Sequence, residues 1–412
     1  MQKVDIDIEA FRRDMDAVST FGATPDGGVC RPTATDADGA ARDWFCRRLR
    51  EEGMQISVDQ LGCIFGVLPL AGADAPLVLT GSHLDSQPTG GRYDGAYGVV
   101  AGLHAALAVA RAIKSSSAQP KCNVGVVNWT NEEGSRFAPS TMGSAVFAGA
   151  IEAQAALAAQ DEKGETLAAA LAKIGYAGND SAPLKLAAYV EAHIEQGPVL
   201  EREQRTIGVV DGNWGTAKFI VEFTGRAAHT GPTPMHERRD ALLAAARLVL
   251  AVRAESDATA GALLSSVGRI EVHPNSTNVV AERARVYVEF RDIDQARLDA
   301  ACRSFAATVA TIAQNGIRAV VTQTTDRRVA DFDAGLRELI EAVAHEADIS
   351  SMRLRTVAGH DAVSLATRFK SAMIFVPSAN GISHNAEEFT ASEDLEAGAR
   401  VLAGVLAHLV RN

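Results

Sequence analysis

The stretch PLVLTGSHLDSQPTGGRYDGAYGVVAGLHAALAVARAIK, residues 76–114, decides the fold. It opens with a short apolar run that ends on His83, passes through a glycine-rich loop holding Asp85 and Asp94, and closes with an Ala-, Leu- and Val-rich segment that reads as helix. Strand, loop and helix in that order form one step of an α/β domain with a largely buried sheet.

Similar apolar runs recur at CIFGVLPL (63–70), NVGVVNW (123–129), LAAYVEAHI (186–194) and SAMIFVP (371–377). Upstream, ATDADGAARDWFCRRLREEG (34–53) sets Ala40, Trp44, Phe45 and Leu49 near helical spacing, and Gly53 ends the segment. From Thr216 the pattern changes. A strand (AKFIVEFTG), a helix (RRDALLAAARLVLAVRAE), two strands (GALLSSVGRIEV, RARVYVEFRD), a helix (DQARLDAACRSFAATVATIAQ) and a strand (IRAVVTQTT) follow one another. This β-α-β-β-α-β order predicts a ferredoxin-like sandwich. It is an insertion, because the helix DAGLRELIEAVAHEA and the strand SAMIFVP resume the first pattern afterwards. The expected domains are residues 1–212 with 331–412, and residues 213–330.

With 412 residues, 47% of them hydrophobic and 22% charged, the chain can bury a full core and is not disordered. Its 51 acidic against 40 basic residues leave a net charge of −11, which argues against a nucleic-acid-binding face. The N-terminal MQKVDIDIEAFRRDMDAV lacks an apolar signal core. The apolar stretches Tyr97–Ala110 and Ala241–Val252 are respectively too short and broken by Arg247, so neither export nor a membrane span is expected. Five cysteines, odd in number, scattered and without a CxxC pair, indicate neither a disulfide framework nor a thiolate zinc site. A cytoplasmic location is the expectation.

Chemistry-bearing residues collect at the carboxyl ends of the apolar runs, where open α/β sheets place their sites. His83 and Asp85 close LVLTGSHLD, with Asp94 in the loop beyond; Glu132 and Glu133 follow VVNW; His193 closes AYVEAH; His384 follows MIFVP in GISHNAEE. Imidazoles, the Glu133 carboxylate and an Asp94 able to bridge with both oxygens suit two divalent ions about 3.5–4 Å apart, the arrangement used in hydrolysis. The Asp85 carboxylate, two residues from His83, is expected to take the proton on the imidazole's other nitrogen. Glu132, left without a metal, is placed to act as general base. His104, His345 and His408 fall in helical stretches and read as structural, and His236 and His273 as surface residues.

The segments GSHLDSQPTGGRYDGAYGVVAGL, NEEGSRF, AHIEQGPVLE, GRAAHTGPTPMHERRDAL, NSTNVV, FRD, GHDA and GISHNAEE, in order from about Gly81 to Phe389, closely resemble the hydantoinase/carbamoylase family amidases, a branch of the di-zinc aminoacylase and carboxypeptidase group. The resemblance implies a zinc-peptidase-like α/β/α catalytic domain with an inserted lid and dimerisation domain. It implies metal ligands His83, Asp94, Glu133, His193 and His384 for two ions, Zn or else Mn, Co or Ni, with Glu132 as base. It also implies substrate contacts from Gln196, His229, Asn278, Arg291 and the Gly359–His360 turn. Arg291 would offer a carboxylate its planar fork, or else pair with Asp292 on the surface. His229 would donate to a developing oxyanion, and Asn278 and Gln196 would meet a ureido group.

The activity so implied is metal-dependent hydrolysis of the ureido C–N bond of N-carbamoyl-L-amino acids or N-carbamoyl-β-alanine. Allantoate and ureidoglycolate are the alternative substrates, and aminoacylase or dipeptidase chemistry a further one. The resemblance further implies a homodimer through the lid, with His229 and Asn278 reaching the partner's site, and lid closure during turnover. A fold that binds without catalysis is opposed by the presence of Glu132.

Overall fold

The computed structural model describes residues 4–412 other than 117, 118, 181, 183 and 184; residues 1–3, which open the stretch read above for a signal core, lie outside it. The chain divides into two compact units, Met1–Gly212 with Asp331–Asn412, and Asn213–Ala330.

The first unit is built on a mixed sheet in the order Gln55–Val58, Ile64–Leu68, Asn123–Trp129, Leu77–His83, Leu186–Ile194, Ser371–Val376, Ile207–Asn213. The four central strands, from Asn123–Trp129 to Ser371–Val376, are parallel. Leu77–His83, Asn123–Trp129 and Ser371–Val376 are buried at every residue, which explains why they read as unbroken apolar runs instead of alternating ones. Register pairs His83 with Trp129 and Val376 with Ile194, so neighbouring strands finish level and hand their following loops to one end of the sheet.

Helix Ala96–Lys114 packs on these strands and on helix Ser392–Arg411. By length and composition it could cross a membrane, yet 94% of its most apolar window is buried, as befits the core helix of an α/β layer. It starts at Gly95 (φ 65°), where a Cβ would lie 2.3 Å from the His83 ring, so only glycine fits between this helix and that side chain.

The second unit is a four-stranded antiparallel sheet, ordered Arg318–Arg327, Gly215–Thr224, Arg283–Asp292, Leu264–His273, carrying helices Ala241–Ala258 and Gln295–Ile312. The chain order is β-α-β-β-α-β. Asp240 and Asp294 cap the two helices, each accepting from two first-turn N–H groups. Phe219, Phe290 and Phe305 form the centre of its own core. All five cysteines are free thiols.

Candidate metal centre

Each polar side chain at the carboxyl end of the parallel strands is held by a specific local device. His83 ends its strand buried, and its Nδ1 lies 2.8 Å from the backbone carbonyl of Asp85. A carbonyl can only accept, so Nδ1 carries the proton and Nε2 keeps its lone pair for the site. The carboxylate expected in that role stands 3.7 Å from Nδ1. It is turned elsewhere, accepting the backbone N–H of Glu132 on Oδ1 and of Glu133 on Oδ2, each at 3.2 Å, and the Thr33 hydroxyl at 2.8 Å. Asp85 thus orients His83 with its backbone and the two glutamates with its side chain.

The glutamate turn begins at Asn131, whose left-handed backbone (φ 58°) suits asparagine and whose amide donates to the Phe137 and Pro139 carbonyls at 2.8 and 3.0 Å. Beyond it the two carboxylates diverge. Glu133 accepts from Gln87 twice, at 3.0 and 2.8 Å, and its Oε2 faces His384 Nε2 at 3.5 Å. Glu132 Oε2 faces His83 Nε2 at 3.5 Å, and its carboxylate accepts no hydrogen bond from any described residue.

Asp94 lies between them, with Oδ1 3.2 Å from His193 Nε2 and 3.8 Å from His83 Nε2, and Oδ2 3.1 Å from His384 Nε2. Its two oxygens therefore belong to two donor groups, His83–Asp94–His193 and Asp94–Glu133–His384. His193 donates from Nδ1 to the Ile194 carbonyl at 2.9 Å, which leaves Nε2 facing the site. His384 is the most exposed of these donors and also sits in left-handed backbone, φ 54°.

The electrostatics follow from burial. Although burial opposes it, hydrogen bonds to His193 and His384 hold the Asp94 carboxyl well below the usual range. Burial, then repulsion from Asp361, Glu133 and Asp94, pushes Glu132 well above it; burial, then Asp94 and Asp85, does the same to Glu133. His193, despite its burial, is raised to about 9 by Asp94. A divalent cation among these oxygens and nitrogens offsets both burial and mutual repulsion, and a donor set of imidazole and carboxylate without thiolate suits Zn or Mn. The residues present fit a divalent metal.

The Gly359–His360 turn reaches the same place: the His360 ring lies 4.5 Å from that of His193, centroid to centroid. Gln196 does too, with Nε2 2.9 Å from Asp94 Oδ2. In the second unit, His229 and Asn278 are neighbours, because Ala228–His229 pairs with Val279–Val280 and Thr230 N–H donates to the Asn278 carbonyl at 3.2 Å. Arg291 is ion-paired with Glu289, not with Asp292. Alternation along the strand puts Arg291 and Glu289 on one face, while Asp292, fully buried on the other, takes a two-pronged contact from Arg297 at 2.6 Å. Of the other histidines, His104 is buried against Asp14 at 2.8 Å and His236 is exposed.

Two acids that the sequence reading passed over also belong here. Glu191, two residues before His193 on the same strand, accepts from Ser82 and from the Ala362 N–H at 2.7 and 2.8 Å. Glu388, four residues after His384, accepts from the backbone of Tyr93 and Asp94.

A family model described as peptidase family M20/M25/M40 matches residues 79–408. The chain is 38% identical to the N-carbamoyl-L-amino-acid amidohydrolase of Rhizobium meliloti, over 91% of this chain and 90% of that one. It is 32% identical to the allantoate amidohydrolase of Bacillus subtilis, over 95% of each. Among solved structures, a hydantoinase/carbamoylase family amidase from Burkholderia vietnamiensis superposes with a TM-score of 0.91 at 40% identity, covering 99% of this chain and 98% of that one.

Proposed function

The chain belongs to the peptidase family M20/M25/M40 and is an amidohydrolase of the carbamoylase/allantoate amidohydrolase group; from that premise we propose that it hydrolyses the ureido C–N bond of N-carbamoyl-L-amino acids or of N-carbamoyl-β-alanine. The observation that carries the mechanism is the divergence of the adjacent acids. Glu133 is committed to Gln87 and the His384 side, whereas Glu132 is buried, raised in pKa and free of hydrogen bonds from described residues. A carboxyl with those properties is suited to receive and return a proton.

His83, Asp94 and His193 would hold one divalent ion and Asp94, Glu133 and His384 a second, Zn or otherwise Mn, Co or Ni. When bound, such ions polarise the carbonyl and acidify water. The chain's own part is to bind, orient and move protons. Glu132 takes a proton from the attacking water as its oxygen bonds to the ureido carbon, and delivers that proton to the departing amine nitrogen as the C–N bond breaks. The products are the amino acid and carbamate, which decomposes to carbon dioxide and ammonia. Arg291 would bind the substrate carboxylate, and His229 and Asn278 would donate to the carbonyl and ureido groups. A homodimer through the second unit is part of this reading. It is supported by apolar side chains that this unit leaves exposed, Leu250 at 73% and Val320 at 55% among them.

Ammonia release across N-carbamoyl-L-amino acids, N-carbamoyl-β-alanine, allantoate, ureidoglycolate and N-acetyl amino acids tests the substrate. Fastest turnover on allantoate or ureidoglycolate would select the second reading, and on N-acetyl amino acids an aminoacylase. Glu132→Gln, which keeps shape and removes the base, is expected to cost roughly two to four orders of magnitude in kcat with metal content intact. Near-normal turnover would refute the assignment.

A further inference from the structure

Four side chains of the first unit close a ring of hydrogen bonds through Asp94. Glu388 Oε1 accepts the backbone N–H groups of Tyr93 and Asp94 at 3.0 and 3.1 Å, and its Oε2 accepts the Ser383 hydroxyl at 2.6 Å. Ser383 Oγ lies 3.1 Å from Gln196 Nε2, which reaches Asp94 Oδ2 at 2.9 Å. The ring is tightly fitted: Glu388 is 4% exposed, and a Cβ on Gly91 would stand 2.1 Å from its Oε1.

The chemistry of the neighbours decides which end of the Gln196 amide faces the ring. The Asp94 carboxylate can only accept. Ser383 has one proton and gives it to Glu388, so it too can only accept from Gln196. The NH2 group is therefore committed to the ring, and an amide turned the other way would set its oxygen against the carboxylate. The amide oxygen takes no hydrogen bond from any described residue. The backbone adds to the constraint, being left-handed at Gln196 (φ 57°) with its N–H donated to Ser378 Oγ at 3.0 Å.

We propose that Ser383, backed by Glu388, is a positioning residue that locks Gln196 with its amide oxygen outward, as an acceptor for the terminal NH2 of a carbamoyl group, and so selects carbamoyl over formyl and acetyl substrates. The inference rests on the ureido reading above. A carbamoyl group ends in a hydrogen-bond donor where formyl ends in hydrogen and acetyl in methyl, and a site built around a donor discriminates against substrates that leave its acceptor unpaired.

The test compares kcat/KM on the N-carbamoyl, N-formyl and N-acetyl derivatives of one L-amino acid for the full-length wild type, Ser383→Ala and Ser383→Thr, with metal content measured alongside. The expected result is a wild type that prefers carbamoyl, a preference lowered about tenfold or more in Ser383→Ala, and its recovery in Ser383→Thr, which keeps the hydroxyl. A general loosening of the metal loops would instead lower all three substrates together. If Ser383→Ala keeps the wild-type ratio, with metal content lowered or not, the inference is overturned while the ureido reading stands. A wild type that cleaves formyl or acetyl but no carbamoyl derivative overturns both.

Discussion

Asp85 serves His83 through its backbone carbonyl, 2.8 Å from Nδ1, which leaves its carboxylate to hold the amide groups of Glu132 and Glu133. The division of labour separates two effects that a carboxylate beside an imidazole would confound. Asp85→Asn should leave the His83 tautomer unchanged, read by 15N NMR of the imidazole, because the carbonyl survives. It should still cost roughly 10–100-fold in metal affinity or turnover, because an amide in that place sets an NH2 group against a backbone N–H. A tautomer change in Asp85→Asn would show that the carboxylate is the partner after all.

Because the Asp94 oxygens face different histidines, the donors are not equivalent. Metal analysis after chelation and reconstitution should give two ions in the wild type, one in His384→Ala or His193→Ala, and fewer than one in Asp94→Ala. A wild-type stoichiometry that never exceeds one, with His384→Ala unchanged, would exclude the two-ion arrangement.

The metal-free protein should lose stability as pH rises. His193 is raised from 6.5 to about 9, so its stabilising contribution is fully present below about pH 6.5 and disappears as pH passes through about 9. For one buried group this amounts to roughly 3 kcal/mol. Glu132 and Glu133, also raised, act in the same direction from the ordinary carboxyl range upward. Thermal melts in chelator should fall across this window, and saturating divalent metal should abolish the fall, since binding displaces those protons. A flat chelated profile between pH 6.5 and 9 would contradict the assignment to His193.

Arg291 is expected to read the substrate carboxylate. Arg291→Ala should lower kcat/KM on an N-carbamoyl amino acid about tenfold or more, and on its carboxamide analogue far less. Arg291→Lys should restore only part, lacking the fork. Equal losses on both substrates would show that Arg291 does not read the carboxylate.

The gathering of these side chains at the strand ends was legible because an unbroken apolar run that stops at His83, Trp129 or His193 marks both a buried strand and the end at which its loop turns out. Spacing names the residue, however, and not the atom. Nothing in GSHLD says that the carbonyl of Asp85, and not its carboxylate, reaches the imidazole. Glu388 and Ser383 were illegible for a related reason: their partners are backbone groups and an amide on loops distant in sequence. The Glu289 partner of Arg291 was within reach, since residues two apart on a strand share a face and adjacent ones do not.

The insertion of the second unit also sets a timetable. His83, Asp94, Glu132, Glu133 and His193 are all synthesised before residue 213, whereas His384 and the strand Ser371–Val376 that seats its loop come only after residue 330. A chain emerging from the ribosome therefore carries four of the five proposed donors through the synthesis of an entire intervening unit. The Asp94 Oδ2 oxygen meets its imidazole neighbour, His384, only after the chain has passed residue 384. A truncation between Val376 and His384 therefore yields a chain that has every strand of the sheet and lacks one of the five proposed donors.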